Sequence, residues 1–150
     1  MLLKLSDLNI IRSDFVLLQA DFISNADISQ AISLYRSLVK EDPNYIMLRV
    51  MKQLPMNSGL RAAEDHAVMV TNDDRILDYK KLERRFEINT DIISFKKVPK
   101  MNIRTDLLAL DLDICSIALL QHVKEDSFGL HEIRDHIING IFASPDIYTA

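Results

Sequence analysis

The sequence predicts a mainly all-α protein, a compact bundle of six or seven short-to-medium helices. Three observations favour this fold class. Apolar residues recur at helical spacing along most of the chain. Only 3 of the 150 residues are glycine, so few turns can require a positive φ. The apolar fraction of 48% and the charged fraction of 27% are typical of a soluble globular protein.

At this length we expect one helical domain, residues 1–150. Its candidate hinge lies at 55–59, where proline, asparagine, serine and glycine follow one another. No segment reaches ~18 uninterrupted apolar residues, so no membrane span is expected. The single cysteine excludes an internal disulfide and suits a reducing compartment, which predicts a cytoplasmic protein.

The first predicted element is a long amphipathic helix over residues 1–22. Met1, Leu8, Phe15 and Phe22 fall seven residues apart, and Ile11 and Leu18 each follow three residues after a member of that series. This spacing predicts a helix of about six turns with one apolar face. Such a face has to be buried on this chain or on a partner, and a homodimer is one hypothesis. The candidate partner interface is Leu8, Ile11, Phe15, Leu18 and Phe22.

Caps and breakers divide the next part of the chain. Asp27, with Gln30 three residues later, resembles a capping box that starts a second helix. Residues 41–43, Glu-Asp-Pro, end that helix. A short third helix is predicted over 43–54, with Asp42 as its N-cap and Pro43 at its first position. A fourth helix is predicted from its cap at Ser58 through Val68. The second helix should direct these residues inward: Ala31, Ile32, Tyr35, Leu38 and Val39.

The remaining helices are predicted from apolar spacing in the second half of the chain. Residues 75–86 are predicted as helix, and 88–98 as either a short helix or a small β element, because β-branched residues are frequent there. Residues 105–119 carry two apolar stripes, which is typical of a helix at the centre of a fold. A last helix is predicted from Ser127 to the stop at Asn139-Gly140.

Positive charge concentrates in one segment. Residues 75–104 hold nine of the 18 basic residues against four acids, whereas the whole chain carries a net charge of −4. A basic segment in an acidic chain can direct that surface toward a polyanion, although charges spread around a solvated helix would give the same composition.

The segment Asp78–Lys97 resembles the helix–turn–helix family of DNA-binding domains. Leu82, Phe86, Ile88 and Ile93 fall on the apolar positions of that pattern, and Asn89-Thr90 on the start of its recognition helix. Glu83 and Glu87 depart from it, since the family has a small residue and a glycine there. The resemblance implies major-groove contacts and phosphate neutralisation. The candidate nucleic-acid-binding residues within 75–98 are Lys80, Lys81, Arg84, Arg85, Thr90, Ser94, Lys96 and Lys97.

No arrangement of residues predicts catalysis. His131 and His136 are five residues apart, about 140° around a helix, so they do not share a face as zinc ligands would. Asp111 and Asp113 are two apart and would likewise diverge on a helix. Cys115 lies among apolar residues and is predicted to be a small buried side chain. We therefore expect no catalytic residues, no metal site and no cofactor.

These observations predict a non-enzymatic, soluble helical binding protein, such as an adaptor, a regulator or an assembly component. It would act through protein–protein contacts, with another protein or with itself as partner. The alternative is a DNA-binding transcriptional regulator that uses the helix–turn–helix-like segment at 75–98.

Overall fold

The computed structural model describes residues 2–20, 22–55, 57–59, 67–72, 75–81, 100 and 102–125. Within these residues the chain forms three helices and six strands, so the predicted all-α bundle is wrong. The elements are α1 Leu2–Asp7, β1 Phe15–Leu18, α2 Ile28–Glu41, β2 Met47–Gln53, β3 Ala67–Asn72, β4 Arg75–Lys81, β5 Asn102–Arg104, β6 Leu107–Cys115 and α3 Ala118–Glu125.

The chain divides into two compact units. The first comprises Met1–Val50 and Ala109–Gly129, and the second comprises Met51–Leu108 and Leu130–Ala150. Within the described residues, the boundary between the units after Val50 lies inside β2, and the boundary before Ala109 lies inside β6. The single domain and the hinge at 55–59 stay predictions.

The first unit is organised around β6, the middle strand in the order β1-β6-β2. β1 runs antiparallel to β6, from the pair Phe15–Cys115 to the pair Leu18–Leu112. β2 also runs antiparallel to β6, because the backbone N of Ser116 donates to the carbonyl of Ile46 while Arg49 lies against Asp113. With a strand on each side, the four residues Leu112–Cys115 are all buried.

α2 covers one face of this sheet and supplies half of the side chains in its apolar core. Tyr35, Leu112 and Ile114 form its buried centre. The side chains packed around them are Phe22, Ile28, Ala31, Ile32, Val39, Leu48 and Val50. The prediction of this helix is confirmed, including its start after Asp27 and its end at Asp42. The Asp27 carboxylate accepts hydrogen bonds from the backbone N and the hydroxyl of Ser29. The predicted capping box would instead have the backbone N of Gln30 donate to this carboxylate.

The second unit contains a three-stranded antiparallel sheet in the order β4-β3-β5. β3 pairs with β4 from Ala67–Lys81 to Asn72–Arg75, and the register shifts between Val70 and Thr71. β3 pairs with β5 from Met69–Arg104 to Thr71–Asn102.

Five predicted helices are replaced by strands in whole or in part. The long helix over 1–22 is wrong, since Leu2–Asp7 is its only described helical part and Phe15–Leu18 is a strand. The helices predicted over 43–54 and 75–86 meet β2 and β4, and the described end of the helix predicted over 58–68 lies in β3. The helix predicted over 105–119 meets β6, and only its last residues are helical, in α3. Leucine-rich runs contain apolar residues at both the helical and the strand period, so spacing alone did not separate the two. The predicted elements at 88–98 and 127–140 lie outside the described residues.

Candidate functional site

A buried ion pair crosses from β2 to β6 in the first unit. Nε of Arg49 lies 3.0 Å from Oδ1 of Asp113, and the two side chains are 3% and 1% exposed. Strand residues alternate between faces, so Asp113 lies on the face opposite Leu112 and Ile114, which contact α2. Any other register of β2 against β6 would separate the two charges while they remain buried, which costs free energy. The pair therefore favours the observed register.

Asp14 joins three segments that are distant in sequence. Its Oδ1 accepts a hydrogen bond from the backbone N of Ile117 at 3.1 Å, and its Oδ2 accepts one from the Tyr35 hydroxyl at 3.3 Å. Ser116 Oγ accepts from the backbone N of Ala118 at 3.2 Å and so caps α3. Burial and the negative charge of Asp14 raise the pKa of Tyr35 to about 12. The first turn of α3 is thus tied to α2 and to the residue before β1.

Asp106 has a similar linking role in the second unit. Arg104 donates two hydrogen bonds to its carboxylate, at 2.7 Å from Nε and 2.8 Å from a terminal nitrogen. Gln53 Nε2 donates a third at 2.9 Å, and the backbone N of Leu54 donates to the Asp106 carbonyl at 2.7 Å. The hydrogen bonds from Arg104 lower the pKa of Asp106 to about 2. The side chain therefore fixes the end of β2 against the turn between β5 and β6.

The polar networks of the described residues hold neighbouring elements together. Among those residues no group of three or more histidine, cysteine, aspartate or glutamate side chains lies close enough to bind a metal ion. The described helices also include none that is long and apolar enough to cross a bilayer.

The outer edge of β1 is the most distinctive surface of the first unit. The backbone N of Gln19 donates to the carbonyl of Asp111, which continues the register of the β1–β6 ladder. Hydrogen-bonded pairs alternate along an antiparallel ladder, so Leu17 is bonded to β6 while Val16 and Leu18 direct their N–H and C=O groups outward. Their side chains are 38% and 45% exposed. No described strand lies beyond this edge.

The predicted partner interface does not form one stripe. Leu8 is 70% exposed in the turn after α1, and Ile11 is half-buried before β1. Phe15 and Leu18 are three residues apart on β1 and so lie on opposite faces, and Phe22 packs against the core. The prediction of one helix that aligns these residues is wrong. Their role in partner binding stays a prediction.

The predicted helix–turn–helix segment loses its first helix. Lys80 and Lys81 belong to β4, a strand, rather than to a helix that could pack behind a recognition helix. The other candidate nucleic-acid-binding residues lie outside the described residues: Arg84, Arg85, Thr90, Ser94, Lys96 and Lys97. The helical geometry on which major-groove contact was predicted is therefore absent from the described part of the segment.

Sequence reasoning missed the roles of Arg49, Asp113, Asp14 and Asp106, although the first two of these positions carry a signal. Arg49 interrupts the apolar run Ile46–Met51, and Asp113 interrupts the alternating run Leu107–Cys115. A charged residue at a position that the strand period places inside requires an opposite charge. Reading both runs as strands would have suggested this pair. Asp14 and Asp106 lie in connecting segments and carry no comparable pattern.

The sequence of this chain is similar to part of two known proteins. No protein-family model matches it. It is 29% identical over 140 residues to the translation initiation factor eIF2B subunit epsilon of Dictyostelium discoideum, a match that covers 92% of this chain. It is 26% identical over 144 residues, 94% of this chain, to the subunit of the same name in Schizosaccharomyces pombe. The matches cover 20% and 21% of those proteins, so the chain is similar to about a fifth of an eIF2B epsilon subunit.

Proposed function

We propose that this chain is part of an epsilon-like subunit of the translation initiation factor eIF2B, and that it acts as an assembly component through protein–protein contacts. The observation that carries the proposal is the similarity to two epsilon subunits, which extends over 92% and 94% of the chain. A cytoplasmic, regulatory role belongs to the same proposal. That this chain is itself not an enzyme stays a prediction.

The geometry supports a role in binding. Asp14, Asp106 and Asp113 are engaged with neighbouring elements, where they stabilise the fold. Large apolar side chains remain at the surface, and Ile23, in the segment between β1 and α2, is 98% exposed. When a partner covers exposed apolar side chains, their removal from water contributes about 25 cal/mol of favourable binding free energy for each Å² buried.

Co-purification from the source cell tests this function. The chain is expressed with an affinity tag, and the proteins recovered with it are identified by quantitative mass spectrometry. We expect enrichment of eIF2B subunits over a tag-only control. Recovery of a folded chain without any eIF2B subunit would contradict the proposal, and circular dichroism of the purified chain shows whether it is folded.

A further inference from the structure

We draw no further inference here: the strongest candidate, the exposed apolar surface of Leu8 and Ile10 in the hydrogen-bonded turn that ends α1, carries no proposal because nothing in the described part of the chain shows what covers it.

Discussion

Asp113 is the residue whose replacement should affect the first unit most strongly. Its carboxylate is buried and contacts Arg49, so Asp113→Asn removes a negative charge and leaves the guanidinium in a low-dielectric interior. We expect a loss of about 3–5 kcal/mol in the free energy of unfolding, measured by urea denaturation. The reason is that the buried Arg49 guanidinium loses the negative charge that faces it, and the loss of a buried charge partner costs more than the loss of a hydrogen bond between neutral groups.

A double variant and a surface variant control this measurement. Arg49→Met combined with Asp113→Leu removes both charges and should recover much of the loss, because apolar residues of similar volume replace ion pairs well. Glu41→Gln changes an exposed carboxylate at the end of α2 and should stay within about 0.5 kcal/mol of the wild type. Additive losses from the two single substitutions of the pair would contradict coupling between them.

Tyr35 should make the stability of the protein fall at alkaline pH. Its pKa is raised from 10.0 to about 12, so the folded protein keeps a proton that the unfolded chain loses. This contribution to stability is fully present below pH 10.0 and is lost as the pH rises toward 12. Near-ultraviolet absorbance should show a tyrosine ionisation near pH 12 that Tyr35→Phe lacks. Identical titrations of the two proteins would show that this tyrosine ionises elsewhere.

At the scale of the element, α2 and β6 show what the sequence could predict. α2 has an N-cap, a stop before Pro43 and a single apolar face, and all three agree with helix, so its bounds were predicted within one residue. β6 contains Leu108, Leu110, Leu112 and Ile114 at strand spacing, but the same segment also places leucines at helical spacing. Pairing with β1 and β2 decides in favour of the strand, and pairing depends on residues far away in the sequence.

The contact between Asp106 and Arg104 should make the junction of β2, β5 and β6 sensitive to acid. The pKa of Asp106 is lowered from 3.8 to about 2, so its contribution to stability is present above pH 3.8 and is lost as the pH falls toward 2. We expect the urea midpoint of the wild type to fall over this range more steeply than that of Asp106→Asn. Glu41→Gln, at an exposed carboxylate, should retain the wild-type profile. Parallel profiles for wild type and Asp106→Asn would rule out this contribution.

At the scale of the whole molecule, composition predicted more than periodicity did. The balance of apolar and charged residues suggested a soluble globular protein, whereas apolar spacing predicted the wrong fold class. The predicted fold class was wrong because each apolar segment was assigned a helix or strand by itself, whereas a sheet forms only when segments distant in sequence pair with one another. The Asp14 and Asp106 networks were missed for the same reason, since both join residues that are distant in sequence.

The outer edge of β1, beyond which no described strand lies, and the net charge together predict how the protein aggregates. The isoelectric point is about 5.5, so electrostatic repulsion between copies is weakest near that pH. An apolar edge strand can then pair between copies. We expect wild-type light scattering to rise fastest near pH 5.5 and Leu18→Lys to slow it, with Ile103→Lys as the control. If both variants slow aggregation equally, the added charge and not the edge is responsible.

The buried thiol of Cys115 can report on the opening of the first unit. It is the chain's single thiol, fully enclosed at the end of β6, so a labelling reagent reaches it only while the surrounding strands are apart. The rate of its alkylation therefore measures how readily the strands around Cys115 separate, and the measurement needs no engineered probe.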